Sequence, residues 1–435
     1  MICPIPWNHL AIRNNGDLRV CCQANQGPDK GLLRREDGSI YHASDIDINE
    51  SRNSQKMKDI RKKLLENEWH EDCIRCMNEE NSNIRSRFTY ESENWEHIID
   101  EDYIRTNTNP DGSIDTRKFP ARHYDIRFGN KCNLKCRMCG PTDSSAWYED
   151  NIKLWGICEY DESGRKMRII KKENKYTVKE NIYEWYKSEN FWNFMKNNLK
   201  VIRLVHMVGG EALLIKEHYK FLQMCIDGGF SKDIMVEYNT NGTIVTDSLL
   251  DMWKQFKRVQ IGVSIDGVGD VNDYVRYPSK FDKVQENLKK MCFSLSNANI
   301  WTAHTVSAIN ITELPDYLEW LNNLKIPILN TAKGNILGVS HPLHGPKHLN
   351  IKMFPKEIKD KIKEHFDNYV FSKNEKRARA VLNKYIKFMY QDQYDEKLFD
   401  KFKMVMTRLD EIRNQSLEKS IPRLYNLIKE YDASK

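Results

Sequence analysis

Apolar and polar positions follow two rhythms along this chain. From about residue 120 to 335, short runs with strand-like spacing alternate with stretches spaced for helices. The runs at 124–128, 201–205, 234–238, 259–264, 301–306 and 328–331 read as strands. The stretches 211–226, 283–294 and 314–324 read as helices between them. Strands and helices taking turns predict a parallel α/β layout.

The first 120 residues are patterned differently. Leu10-Ala11-Ile12 and Leu18-Arg19-Val20 flank Asn15-Gly16, a pair that tolerates positive φ and signals a hairpin. The second arm delivers Cys21 and Cys22. A polar stretch from 23 to 54 reads as loop. Met57, Ile60, Leu64 and Leu65 then recur at helical spacing and lead into Cys73-Ile74-Arg75-Cys76. Between the first two strands of the centre lies an insertion, 147–197. It has a turn at 161–164 and an aromatic group, Tyr183, Trp185, Tyr186, Phe191, Trp192 and Phe194, whose spacing favours core over a base-stacking groove. Residues 340–348 carry three His with Pro and Gly and read as loop. Beyond Pro355, Ile358, Ile362 and Phe366, then Leu382, Ile386 and Met389, then Phe399, Phe402 and Leu409 are spaced for packed helices. The expected division is a cysteine-rich module at 1–120, an α/β body at 121–335 and a helical region at 336–435.

Composition narrows the function. The 435 residues are 40% apolar and 30% charged, with no apolar run of membrane-spanning length. The N-terminus lacks a signal-peptide pattern, so the expected location is cytoplasmic. There the eleven cysteines read as metal ligands rather than disulfides. The net charge of +6 is a small excess of 68 basic over 62 acidic residues. It describes a solvated surface better than a nucleic-acid partner.

Cys132, Cys136 and Cys139 form C-x3-C-x2-C just after the first central strand. Three thiolates can hold three irons of one cubane. A structural zinc would need four protein ligands. The open fourth position is a place for a small molecule to reach the metal. This signature resembles that of the radical S-adenosylmethionine (SAM) enzymes. The resemblance implies a partial (β/α)6 TIM-like barrel, with the chemistry at the C-terminal strand ends. It also implies a [4Fe–4S] cluster on the three cysteines whose unique iron chelates SAM. The family's aromatic residue before the third cysteine is Met138 here, whose backbone is expected at the adenine.

Further stretches carry the same resemblance. Gly209, Gly210 and Glu211 resemble the motif that holds the SAM amino group, with Ala212 where a proline often stands. Asn239-Thr240-Asn241-Gly242 resembles the family's T-N-G turn, and Asn239 is the expected contact. Ser264 and Arg276 suit the SAM carboxylate, and Asp266 the ribose hydroxyls. Val306 is the adenine-packing candidate on the fifth strand, though core is the simpler reading. Isolated Cys158, Cys225 and Cys292 are set aside, the last two as buried residues.

Cys3, Cys21, Cys73 and Cys76 make a possible four-thiolate site, with Cys22 as alternate. Zinc and a [4Fe–4S] cluster both fit that set. Its order resembles the SPASM and twitch auxiliary-cluster modules, which normally follow the barrel rather than precede it. The resemblance implies a second [4Fe–4S] cluster, an external electron donor and a substrate that loses hydrogen to a 5′-deoxyadenosyl radical. A peptide or protein is the expected substrate class. The alternatives are a nucleotide, RNA or sugar substrate, or a zinc-stabilised binding protein without catalysis.

Overall fold

The computed structural model describes every residue except 1, 25–30, 82–85, 162, 181, 325, 327–337 and 392–393. Its chain is interleaved between two units. The first is Met1–Lys131, Cys158–Tyr238 and Gln255–Arg258; the second is Cys132–Ile157, Asn239–Lys254 and Val259–Lys435.

In the first unit, β1 (His9–Ile12) and β2 (Leu18–Arg19) are the predicted hairpin, closed by a bond from the Gly16 amide to the Arg13 carbonyl at 3.0 Å. β1 does more than close a hairpin. Its other edge pairs in parallel with β3 (His123–Arg127), with His9 opposite His123 and Ile12 opposite Ile126. The hairpin therefore belongs to the main sheet. β4 (Cys158–Tyr160), β5 (Lys166–Lys172) and β6 (Lys175–Val178) form a separate antiparallel sheet inside the insertion. Only its turn is legible in the sequence. Charged residues on the outer face of β5 hide an alternation that buries Met167 and Ile169.

β7 (Leu204–Val208) and β8 (Met235–Thr240) continue the parallel sheet in the order β8-β7-β3-β1-β2. The strand expected at 201–205 starts three residues late. The Glu189–Asn198 helix captures the difference: amides of Val201 and Ile202 bond back to the Asn198 carbonyl at 3.0 and 3.3 Å. The helix expected from 211 starts at Lys216 and runs to Asp227. Glu211 instead caps a single 3-10 turn, Ala212–Leu214, and extended Ile215 ends that turn. The Gln55–Leu65 helix forms as expected and buries Met57, Ile60 and Leu64.

The aromatic group is core. Phe128 stacks with Trp185 and Trp192, and Phe191 meets both edge-on at 5.0 and 4.9 Å. Tyr183, Trp185, Tyr186 and Phe191 are buried. Each contributes about 1.5–3 kcal/mol through the apolar area it buries.

In the second unit, β9 (Arg258–Ser264, of which Arg258 counts with the first), β10 (Ala298–Val306) and β11 (Gly338–Pro342) pair in parallel. β10 alternates buried even-numbered residues with more open odd-numbered ones, the period-2 signature. The strand expected at 328–331 lies outside the described residues. The loop expected from 340 begins with the end of β11; Pro342 is tolerated there because β11 is a terminal strand. Helices Phe281–Ser294 and Leu314–Asn323 stand close to their expected bounds. After them come Lys356–Asn368, Glu375–Met389, Glu396–Arg413 and Pro422–Ala433. Their predicted apolar positions are buried, except that Tyr385 takes the inner place expected for Ile386. The architecture is mixed α/β, with parallel strands alternating with helices and a helical C-terminal region. No described helix is long and apolar enough to cross a membrane.

Candidate functional site

The second unit holds the C-x3-C-x2-C loop. The loop is zippered to a neighbouring segment by backbone bonds: Lys135 N–H to the Tyr277 carbonyl at 2.7 Å and Arg137 N–H to the Val275 carbonyl at 2.8 Å. These two bonds bracket Arg276. Its Nη1 lies 3.8 Å from Cys136 Sγ, and its Nε lies 2.6 Å from Asp266 Oδ2. Burial opposes the Arg276 charge, but Asp266 and the sulfurs of Cys136 and Cys139 outweigh it and hold its pKa above the ordinary value. The Cys136 thiol is drawn down, first by its hydrogen bond with Cys139 and then by the Arg276 and Arg413 charges. Cys139 is pushed up by the same bond and by burial.

Asp266 is fully buried, and its Oδ1 accepts the Thr305 amide at 2.7 Å. Asn310 and Asn272 bond its backbone. Ser264, half-buried, ends β9 opposite Ala303. Asn239 is exposed, while Asn241 is buried, with Nδ2 3.9 Å from Cys132 Sγ and 2.9 Å from Asn133 Oδ1. Asn239 is the contact expected from sequence; Asn241 is the member of that turn that touches the cysteine loop. Met138 is half-buried, and Val306 is fully buried.

In the first unit, the Gly-Gly-Glu stretch packs on the residues that end β3. Gly209 has φ +122°, and a Cβ there would lie 2.8 Å from the Gly129 carbonyl oxygen. A Cβ on Gly210 would lie 2.4 Å from the Lys131 oxygen, the residue directly before Cys132. The backbones touch: Gly210 N–H meets the Gly129 carbonyl at 3.0 Å and Glu211 N–H the Lys131 carbonyl at 2.8 Å. Only glycine permits this approach. Glu211 is buried and accepts the Leu213 amide at 3.2 Å.

Cys3, Cys21, Cys73 and Cys76 line one pocket with Ile5, Leu64 and Phe88. Burial pushes the Cys73 thiol up to about 12, with the neighbouring Cys21 and Cys76 adding to it. Burial likewise raises Cys3 and Cys76. Cys22 turns its sulfur to Arg87 instead. Among the described residues, His70, Glu71 and Asp72 are the one trio of candidate ligands whose atoms all lie within 4.8 Å. Both cysteine sets are donor sets of thiols, the ligands an iron–sulfur cubane takes.

A polar row was not foreseen from the sequence. Tyr124, Ile126 and Phe128 share one face of β3, and Tyr124 and Phe128 meet aromatic rings there. The opposite parity places His123, Asp125 and Arg127 in register with His9 on β1 and His206 on β7, which is itself opposite Glu237 on β8. His206 Nδ1 lies 3.7 Å from Asp125 Oδ1, and His123 Nδ1 lies 3.6 Å from Glu91 Oε2. Strict alternation in His123-Tyr124-Asp125-Ile126-Arg127 was the signal that could have found it.

Residues 126–320 match the radical SAM superfamily model, and residues 3–77 match SPASM, an iron–sulfur cluster-binding domain. No curated protein matches. Among solved structures, the chain is similar to Streptococcus suis SuiB bound to S-adenosylmethionine. That likeness has 12% identity over 82% of this chain and 67% of that one, with a TM-score of 0.35. The chain is also similar to anSMEcpe with bound AdoMet and Cp18Cys peptide, at 15% identity over 56% of this chain and 58% of that one, with a TM-score of 0.33. It thus spans less than two thirds of the anSMEcpe chain. A third likeness, at 13% identity, is to SuiB bound to precursor peptide SuiA; it covers 77% of this chain and 73% of that one, with a TM-score of 0.30. The chain carries a radical SAM domain preceded by a SPASM domain, and these imply SAM, the [4Fe–4S] cluster that binds it and an auxiliary iron–sulfur cluster as cofactors.

Proposed function

We propose that this protein is a radical SAM enzyme acting on a peptide or protein. Cys132, Cys136 and Cys139 would hold the SAM-binding cluster, and Cys3, Cys21, Cys73 and Cys76 the auxiliary one. Gly209, Gly210, Glu211, Ser264 and Arg276 would hold SAM. The observation that carries this reading is the zippered cysteine loop, which puts the Arg276 cation against Cys136 Sγ. Enzymes with SPASM-type modules often modify peptides or proteins, which supports the substrate class.

A [4Fe–4S] cluster held by Cys132, Cys136 and Cys139 would supply, with an external electron donor, the one-electron reduction that cleaves SAM and gives access to radical hydrogen abstraction from a substrate. The protein's part is placement and exclusion of water. Arg276, fixed by Asp266, presents its remaining guanidinium donors to a carboxylate. Glu211, whose carboxylate caps the turn after it by accepting the Leu213 amide, would face the SAM ammonium. Asn241 and the Leu134 amide place donors at Cys132 Sγ, at 3.9 and 3.4 Å.

The test is anaerobic. Reconstituted protein with SAM and a strong reductant should release 5′-deoxyadenosine, and an Arg276→Ala variant should raise the SAM concentration needed by tenfold or more. No 5′-deoxyadenosine from the iron-loaded wild type would sink the reading. Consumption of a peptide pool, rather than RNA or sugars, would fix the substrate class.

A further inference from the structure

The cysteine loop carries two cations between its ligand positions, Lys135 and Arg137, and both lead to the C-terminal helices of the same unit. The Arg137 side chain is completely buried. Its guanidinium lies 3.6 Å from the Tyr274 ring centre, and Nε donates to the Tyr274 carbonyl at 3.1 Å. Its Nη2 meets Asp410 Oδ1 at 2.5 Å and Gln415 Oε1 at 3.0 Å. Lys135 Nζ lies 2.7 Å from Asp150 Oδ1. The other oxygen of Asp150 takes Arg413 Nε at 2.7 Å, and both of those side chains are buried. Arg413 also lies over the rings of Trp147 and Tyr277, at 4.7 and 5.5 Å. Trp147 in turn donates to the Cys136 carbonyl at 2.8 Å.

Three cations thus back the loop against two carboxylates. Charge buried this near an iron–sulfur cluster is felt strongly, because little water screens it. Net charge around a cluster is one of the terms that set its potential. An excess of positive charge favours the reduced state. The carboxylate that offsets Arg137 is not on the loop; it is on the Glu396–Arg413 helix.

We propose that this C-terminal helix, through Asp410 and Arg413, tunes the reduction potential of the cluster held by Cys132, Cys136 and Cys139. Asp410 and Arg413 are positioning residues, acting through Arg137 and Asp150. The inference rests on the cluster assignment made above. The helix makes the loop one electrostatic body: removing its carboxylate leaves Arg137 uncompensated, and adding one over-compensates it.

The test is a redox titration of the full chain under argon, following the reduced-cluster EPR signal that changes when SAM is added. Asp410→Asn should move the midpoint upward with iron content kept. Gln415→Glu, nearly isosteric, should move it downward. Asp410→Glu should return it toward the wild type. Shifts of opposite sign support the proposal; midpoints unmoved in both variants, or moved in the same direction, overturn it. If Asp410→Asn does not fold, Gln415→Glu alone decides by its sign. A wild type that binds no iron would instead sink the cluster assignment itself, a result distinct from loaded variants with unchanged midpoints.

Discussion

Arg276 and Asp266 form a buried ion pair at 2.6 Å at the end of β9, and the same guanidinium reaches Cys136. One residue thus serves the fold and the site. Removing one partner of a buried pair typically costs about 3–5 kcal/mol, because the other charge stays buried. Asp266→Ala is therefore expected to lower the denaturant midpoint markedly, and to weaken SAM binding because Arg276 loses its anchor. An unchanged midpoint would show that Arg276 finds another carboxylate.

The two cysteine sets should be separable by metal analysis. Two [4Fe–4S] clusters hold about eight irons per chain, and changing Cys132, Cys136 and Cys139 to Ala should leave about four. Changing Cys73 and Cys76 should also leave about four, while keeping the SAM-responsive EPR signal. One zinc per chain alongside four irons would make the N-terminal site structural.

Gly210 tests the close backbone approach. Gly210→Ala places a methyl 2.4 Å from the Lys131 oxygen. Overpacking of this kind costs about 1–3 kcal/mol. The displaced segment lies next to Cys132 in the chain, so SAM affinity by equilibrium dialysis should fall tenfold or more. Retained affinity would mean that the Gly-Gly-Glu turn does not position SAM.

Phe191 decides what the aromatic insertion is for. It is fully buried between Trp185 and Trp192. Phe191→Ala should cost about 3–5 kcal/mol of stability, the usual range for a buried aromatic. A variant of undiminished stability would reopen the groove reading.

His218 gives a pH signature. Desolvation lowers its pKa from 6.5 to about 3, and its Nε2 lies 2.8 Å from the Tyr238 hydroxyl. Below pH 6.5 the unfolded chain binds a proton there that the folded chain refuses, so stability falls as pH falls. The slope is about 1.4 kcal/mol per pH unit from this group, until the folded pKa is reached. His218→Gln should flatten the midpoint-against-pH curve between 6.5 and 4 by that amount.

The fold was legible in the sequence where periodicity and burial coincide. β10 alternates cleanly, and its bounds fall within three residues of the expected ones. β7 does not match so closely, because Val201 and Ile202 look like strand but are held by the end of a helix. The two cysteine clusters were legible because their members recur at short spacings along the chain, Cys132-x3-Cys136-x2-Cys139 and Cys73-x2-Cys76. Asn241, Asp150 and Asp410 were not, since their distances from the cysteines are set by tertiary packing. Nor does any local signal tell a two-residue arm such as Leu18–Arg19 that the other arm of its hairpin will also pair with a strand more than a hundred residues on.

That last pairing has a consequence for anyone dissecting the protein. β1 covers the edge of β3, so residues 1–120 are no detachable cartridge. A truncated chain starting at 121 would bare the hydrogen-bonding edge of His123–Arg127, an invitation to stick to other chains. During synthesis the order is reversed: β1 leaves the ribosome early and waits about a hundred residues for its partner. Within the first unit, the module that emerges first completes its sheet only after the strand that leads into the cysteine loop has been made.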